Sequence, residues 1–514
     1  MNQPSRQERR REEFLRRKQA LRKATRALRE RQAAQGLEPR QKATIGNGIC
    51  EWKTVEEEKQ ARQETAEEQL RVYRSVLPQL LKRLAKIPDP RNPLLIRHKL
   101  TVLLLSGILM FVYQMTSRRE ANREMSLPQF WGNLQLLFPE LESLPHQDTL
   151  ARLLARIAVN QIQESLIALI QQLIRNKKFS RYLIAHCYPL AIDGTQKLQR
   201  NWPWSEQCLE RQVQTKQEDG TAEPHPQYYV YVLEAKLAFA NGITIPLLSE
   251  FLDYGEGDQQ RSKQDCELNA FYRLAQRVKE YFPRLPVLVL LDGLYANGPV
   301  LELCRHYHWQ FMTVLQDDSL PSVWEEFRGL EQLERQNHLE RNWGNRRQRF
   351  RWVNGIEYRY GEQGRKKLFL HVVVCEESWE EIDANSPAVV PQTARHAWIS
   401  SVPLNRDNVH ERCNLGARHR WAIEEGILVE KHLGYQYEHN FSYNWEAMRG
   451  YHFLMQIAHL LNALVQNSAR LVRLVRSRGL RGLRQFLRTT CSGPWLDAER
   501  IRQLLLSPCQ IRLE

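Results

Sequence analysis

The most constraining stretch of the sequence is an unbroken apolar run over residues 286–291, followed at once by Asp292 and Gly293. An apolar run without polar alternation predicts a β-strand that is covered on both faces, as in a sheet packed between helices. Residues 182–192 form a similar run that ends at Asp193. Ligands of open α/β sheets bind where such strands end. The sequence therefore predicts an α/β core that carries Asp193 and Asp292 at the same edge of a sheet.

The segments around these runs predict a mixed sheet with helical crossovers. After residue 193, the expected order is hairpin, helix, strand, helix and strand, over residues 228–252, 265–282, 286–291, 297–307 and 309–315. The hairpin is indicated by Asn241-Gly242, the strongest short signal for a tight turn between two strands.

A later segment, residues 418–431, has helical spacing of its apolar residues and places Arg420, Glu424 and Lys431 four and seven residues apart. On a helix these side chains share one face, with a carboxylate between two cations. Such a face suits a metal-dependent enzyme acting on a polyanion, because the carboxylate can ligate the ion while the cations hold phosphates. The alternative is an ordinary surface helix with an Arg–Glu pair at i,i+4.

The charge balance points to a polyanionic partner. The chain has 74 Lys and Arg against 59 Asp and Glu, a net charge of +15, and nucleic acid is the first candidate. The nine cysteines are scattered and form no CxxC pair, which indicates neither a disulfide framework nor a zinc site. The amino-terminal segment lacks the apolar core of a signal peptide, and we expect a cytoplasmic protein.

The most apolar stretch, residues 100–115, raises the question of a membrane span. It is about sixteen residues long, whereas a span needs roughly twenty. It also contains Ser106, Gly107 and Gln114. We predict a buried helix here rather than a membrane anchor.

Three segments carry a family resemblance: IDGT at residues 192–195, LDGLYA at residues 291–296 and RWAIEE at residues 420–425. They resemble the three catalytic motifs of DDE transposases with an RNase H-like core. The most similar group is that of bacterial insertion-sequence enzymes with a β-rich insertion before the catalytic Glu. The resemblance extends over about residues 88–465, and the spacing of Arg420, Glu424 and Lys431 matches the signature of that group.

The resemblance implies that Asp193, Asp292 and Glu424 are catalytic and bind two Mg²⁺ ions, for which Mn²⁺ substitutes. It also implies that Arg420 and Lys431 clamp DNA phosphates. The expected activity is cleavage of the ends of a mobile element and joining of their 3′-hydroxyls to target DNA. The expected partners are the terminal repeats and the target DNA, bound by a homodimer or higher oligomer at the bacterial nucleoid, with no membrane partner.

Two positions near the signature bear on how DNA is held. Trp398 stands about twenty residues before the signature Arg, where relatives place an aromatic residue that takes a flipped base. It can equally be a strand tryptophan packed in the core of the insertion. The group usually has Tyr three residues before the signature Arg, where this chain has Ala417, so the resemblance does not imply excision through hairpin ends.

The resulting fold prediction is an RNase H-like mixed-sheet α/β core with a β-rich insertion, an all-helical amino-terminal domain and a basic helical tail. The predicted segments are a basic arm (1–44), a helical DNA-binding domain (45–180), the first part of the core (181–317), the insertion (318–400), the second part of the core (401–465) and the tail (466–514). Residues 6–31 of the arm hold twelve Lys or Arg against four Glu, and a long helix is expected over residues 445–475.

A second hypothesis belongs to a different functional class. In it the chain is a non-catalytic DNA-binding protein derived from a transposase. Asp193 and Asp292 then cap the turns that follow their strands, as the Asp of an Asp-Gly pair often does.

Overall fold

The computed structural model describes residues 6–38, 45, 48–216, 222–253 and 266–514. The chain divides into two compact units. Unit 1 comprises Met1–Thr44 and Val287–Arg418, and unit 2 comprises Ile45–Pro286 and His419–Glu514. Helices and strands occur in both units, so the fold is mixed α/β, as the sequence predicts.

The first eight helices precede the first strand. They are α1 (Arg6–Ala34), α2 (Val55–Arg74), α3 (Leu77–Leu84), α4 (Leu100–Val112), α5 (Arg118–Glu124), α6 (Pro128–Leu137), α7 (Gln147–Leu154) and α8 (Asn160–Arg175). Four strands follow, β1 (Tyr188–Arg200), β2 (Leu209–Lys216), β3 (Ala222–Ala238) and β4 (Thr244–Phe251). Helices and strands then alternate as α9 (Glu267–Tyr281), β5 (Val287–Leu291), α10 (Gly298–His306), β6 (Gln310–Val314) and α11 (Pro321–Leu333). The chain ends with β7 (His338–Trp343), β8 (Arg346–Tyr360), β9 (Lys366–Ile382), β10 (Val389–Ser400), α12 (Trp421–His432), α13 (Trp445–Gln466), α14 (Val472–Ser492) and α15 (Ala498–Leu506).

In unit 2 the strands are organised around β3, which pairs antiparallel with β1, β2 and β4. The hairpin between β3 and β4 confirms the Asn241-Gly242 prediction. Gly242 has φ +90°, a conformation that glycine adopts without the steric cost that a side chain brings. The helix predicted over residues 265–282 is α9, and Asp265 lies outside the described residues.

The prediction for the strand before Asp193 is wrong in its position. β1 begins at Tyr188 and continues to Arg200, so Asp193 lies inside the strand rather than at its end. The reason is the length of β3, whose residues pair with β1 as far as Arg200, opposite Tyr228. The buried side chain of Leu198 also keeps this second half of β1 packed.

The apolar run near residue 100 forms α4, which is buried along nearly its whole length. This helix packs against α13, the long helix of unit 2, which also contacts α8 and β4. Among the residues that the structure describes, no helix is both long and apolar enough to cross a membrane.

The helix predicted over residues 445–475 is interrupted. It ends at Gln466, and α14 begins at Val472. Ser468 leaves the helix to form a β-bridge with Leu513, and its hydroxyl donates to Glu68. These contacts redirect the chain, although the apolar spacing continues through the break.

Unit 1 contains a mixed sheet in the order β5, β6, β10, β9, β8, β7. β5 and β6 are parallel and are connected through α10, which confirms the predicted strand–helix–strand order. The remaining pairs are antiparallel. The sequence indicates strands in this region but not α11, which packs on β8. The basic segment over residues 6–31 is helical and lies within α1.

Candidate active site

Asp193 lies in β1 directly opposite Glu234 of β3. Residues that are directly opposite in an antiparallel pair project from the same face of the sheet. The Oδ1 atom of Asp193 accepts a hydrogen bond from the backbone N–H of Gly194 at 3.1 Å. A Cβ atom at position 194 would lie 2.5 Å from the Tyr231 side chain, so a larger residue here would require Tyr231 to move.

Arg420 joins two of the predicted catalytic carboxylates. Its Nη2 donates to Oε1 of Glu424 at 3.0 Å, and its Nη1 lies 3.9 Å from Oδ2 of Asp193. The side chain of Arg420 is only 9% exposed, whereas those of Asp193 and Glu424 are 19% and 33% exposed. The structure therefore places both carboxylates beside one largely buried guanidinium, with solvent access from the carboxylate side.

The helix that carries Glu424 is held by a buried ion pair. Lys236 of β3 and Glu430 of α12 are completely buried, and Nζ lies 2.7 Å from Oε1. His459 of α13 contacts the same carboxylate oxygen at 2.5 Å. Burial alone would raise the pKa of Glu430, but the charges of Lys236 and His459 lower it. This cluster connects α12, β3 and α13 on the face of the sheet from which Asp193 projects, because Lys236 follows Glu234 by two residues in β3.

A second buried carboxylate lies next to the first. Glu234 accepts hydrogen bonds from the hydroxyls of Tyr437 at 2.9 Å and Ser249 at 3.1 Å. Burial raises the pKa of Glu234, Lys236 opposes this shift, and the charge of Glu430 adds to it. Sequence reasoning did not find Glu234, Lys236 or Glu430. The available signal was a pair of charged residues two positions apart within the otherwise apolar centre of a β-strand.

Lys431 points to a different partner from the one the sequence suggests. Its Nζ lies 2.9 Å from Oε1 of Glu438, and the side chain is 16% exposed. Lys431 therefore forms an ion pair outside the Arg420 cluster. Its role in binding phosphate stays a prediction.

Asp292 lies in unit 1. It follows β5 immediately, as predicted, and its Oδ1 accepts from the backbone N–H of Leu294 at 2.9 Å. The carboxylate thus caps the short 3₁₀ turn over Gly293–Tyr295. Capping uses one oxygen of the carboxylate and is compatible with a further role. The catalytic assignment of Asp292 stays a prediction.

Trp398 lies in β10 of unit 1 and is 4% exposed. Its ring stacks on that of His396, with the centroids 5.6 Å apart and the planes 11° apart. The guanidinium of Arg418 lies 5.6 Å from the ring centroid. These contacts describe a packed strand tryptophan, the second of the two possibilities that the sequence leaves open. A role in binding a flipped base stays a prediction.

The chemistry of the carboxylates suits a hard divalent cation. Mg²⁺ prefers oxygen ligands, commonly one or two carboxylates together with water or substrate phosphate. Asp193 and Glu424 provide such a pair within unit 2. Within the described part of either unit taken alone, no three His, Cys, Asp or Glu side chains form a group that could hold a metal. The pair therefore fits magnesium ligation that is completed by further oxygen donors.

Comparison with known proteins gives one finding for the helical part of unit 2. Residues 81–170 match the DDE_Tnp_1-associated family model. The match begins within α3 and ends within α8. It points to a DDE-family transposase, and with it to interaction with DNA. A search of curated proteins gave no match.

Proposed function

We propose that this protein is a DDE transposase that cleaves the ends of a mobile DNA element and joins their 3′-hydroxyls to target DNA. The proposal rests on one observation: Asp193 and Glu424 both lie beside the guanidinium of Arg420. These are residues that the motif resemblance assigns to the active site, although they lie more than 200 positions apart in the sequence. The family match of residues 81–170 supports the same class of protein independently of these motifs.

In this proposal Asp193, Asp292 and Glu424 hold two Mg²⁺ ions. When bound, the ions supply charge stabilisation for the attacking and leaving oxygens of an in-line phosphodiester displacement. Arg420 orients the two carboxylates of unit 2 through its hydrogen bond to Glu424 and its position beside Asp193. Lys431 exchanges its partner Glu438 for a DNA phosphate, since the Glu438 side chain is 55% exposed and a pair open to solvent on one side contributes little stability.

The basic residues supply the sequence-independent part of DNA binding. Along α1, Lys and Arg side chains are mostly exposed, and the end of the helix is fixed to β9 by Arg31, which lies 2.5 Å from Glu380. Two arginines of α14 instead serve the fold, because Arg484 is buried and Arg488 pairs with Glu120. We propose that α1 binds phosphates and that the protein acts on paired DNA ends as an oligomer.

The proposal is tested by incubating the purified protein with a duplex that carries the end of its own element, with Mg²⁺ or with EDTA. Products are resolved on a denaturing gel. We expect metal-dependent nicking at the end of the element, and its loss in Asp193→Asn. A product of hairpin size would show that Ala417 permits that route of excision.

Asp292→Asn is the most informative variant for the unit 1 carboxylate. An asparagine oxygen can cap the Leu294 N–H as aspartate does, so the turn is retained. Loss of nicking with retained DNA binding would assign Asp292 to catalysis. Specific DNA binding by the wild-type protein without any metal-dependent nicking would instead support the non-catalytic DNA-binding alternative.

A further inference from the structure

Two large aromatic side chains lie exposed beside each other, close to the carboxyl-terminal end of β1 in unit 2. Trp202 is 48% exposed and Tyr443 is 51% exposed. Their ring centroids are 5.1 Å apart. Single exposed apolar residues are common on protein surfaces, but adjoining exposed aromatic rings form the kind of surface on which another flat group can stack.

This pair rests on a second layer of aromatic rings. Trp204 is 9% exposed, and its ring lies 6.0 Å from Tyr443 and 6.1 Å from Trp445, the first residue of α13. Trp445 in turn contacts Phe251 of β4 at 6.0 Å. The inner rings therefore fix the position of Tyr443, so that little conformational entropy is lost when a ligand binds there.

A bulge in β1 brings a cation to the same surface. The pairing of β1 with β3 shifts between Gln196 and Leu198, so Lys197 is an extra residue. After the extra residue, side chains of β1 change face relative to a regular strand. As a result Arg200, which pairs with Tyr228, projects from the same face as Asp193.

Arg200 is available to an anionic ligand. Its Nε lies 3.5 Å from the hydroxyl oxygen of Tyr443, and its Nη1 donates to the backbone oxygen of Gln199. No carboxylate in the described part of the chain pairs with it. The charges of Arg200, Arg118 and Lys197 add to the effect of burial in lowering the pKa of nearby His439. Arg118 is partly neutralised by Asp148, at 3.2 Å.

We propose that Trp202 and Tyr443 form a stacking platform for an unpaired nucleobase, and that Arg200 binds the adjoining phosphate of that single strand. Arg200 lies seven positions after Asp193, which is about 20 Å along β1 at the usual rise per residue. This inference rests on the proposed function, because it assigns the platform to a DNA strand that leads to or from the catalytic carboxylates. The platform holds the strand by stacking and charge and does not read its sequence.

The test is a binding measurement in EDTA with labelled oligothymidylate and with a blunt duplex of equal length. We expect Trp202→Ala to weaken binding of the single strand about tenfold. Binding of the duplex should change less than about twofold, because its bases remain stacked on each other. Trp202→Phe should retain most of the single-strand affinity, and Phe369→Ala, which removes an exposed aromatic residue from unit 1, should change neither affinity.

A second variant tests the cation separately. Arg200→Gln should make the slope of log affinity against log salt concentration shallower by about one, because one fewer counterion is released when the single strand binds. The platform is refuted if Trp202→Ala, with unchanged thermal unfolding, binds oligothymidylate as the wild type does, or if Arg200→Gln leaves the salt dependence unchanged. Because no metal is present, these results are independent of cleavage. A wild-type protein that binds as expected but never nicks DNA overturns the catalytic proposal and leaves the platform standing.

Discussion

Replacing Lys236 with Met is the perturbation that most directly tests what holds the Glu424 helix. The Lys236–Glu430 pair is completely buried, with 2.7 Å between nitrogen and oxygen. Removing one partner of a buried ion pair leaves a charge in an apolar environment and costs about 3–5 kcal/mol. Methionine fills most of the space of the lysine stem, so the loss of packing is small. We therefore expect a destabilisation of about 3–5 kcal/mol near pH 8.

The cost should be smaller at lower pH because His459 can compensate. Its imidazole contacts the same Glu430 oxygen at 2.5 Å, and its pKa is lowered by burial, while Glu430 raises it and Lys236 lowers it further. Without Lys236 the pKa of His459 rises, and the folded variant takes up a proton as pH falls. Since the unfolded states of the two proteins bind protons alike at this position, the extra proton taken up by the folded variant reduces its destabilisation relative to the wild type toward lower pH. The destabilisation should thus be smaller near pH 6 than near pH 8.

The assay is urea unfolding followed by circular dichroism at both pH values. Lys431→Met is the matched control, because its partner Glu438 is 55% exposed, and its cost should stay below about 1 kcal/mol. Replacing both buried partners, in Lys236→Met with Glu430→Leu, should recover most of the lost stability. A destabilisation below about 1 kcal/mol near pH 8 for Lys236→Met alone would refute this explanation of how α12 is held.

Two other variants have defined outcomes. Burial alone would raise the pKa of Glu377, but contacts with His396 and Gln348 and nearby arginine charges lower it to about 2. Because this pKa lies below the ordinary value of 4.5, the ionised carboxylate stabilises the fold above pH 4.5. This contribution is lost as the pH falls toward 2. Glu377→Gln should make the free energy of unfolding less dependent on pH in that range. A variant whose free energy of unfolding falls with pH as steeply as that of the wild type would contradict this. Gly194→Ala should destabilise by about 1–3 kcal/mol, because its Cβ would lie 2.5 Å from the Tyr231 side chain; a thermal midpoint equal to that of the wild type would show that the site can relax.

The parts of the fold that the sequence predicts well are those with a strong local signal. β5 follows from an uninterrupted apolar run, and Asp292 is found directly after it. The turn at Gly242 follows from its Asn-Gly pair. The contact of Arg420 with Glu424 follows from helical spacing alone, since residues four apart on a helix are neighbours.

The parts that the sequence does not predict depend on distant pairing partners. The extension of β1 beyond Asp193 depends on the length of β3, and the end of α13 depends on contacts of Ser468 with Glu68 and Leu513. The buried pair of Lys236 and Glu430 depends on strand and helix meeting across almost 200 residues of sequence. Local patterns can mark a charged residue inside an apolar strand, but they carry no information about which distant residue is its partner.

The central claim is that Glu424 takes part in metal-dependent cleavage of DNA. The most direct measurement compares Glu424→Gln with Glu425→Gln, since Glu425 is the exposed neighbour on the same helix. Both variants should bind the element end as the wild type does. Nicking with Mg²⁺ should fall to background in Glu424→Gln and remain at the wild-type rate in Glu425→Gln. Equal nicking rates in the two variants would contradict the assignment of Glu424 as a catalytic carboxylate.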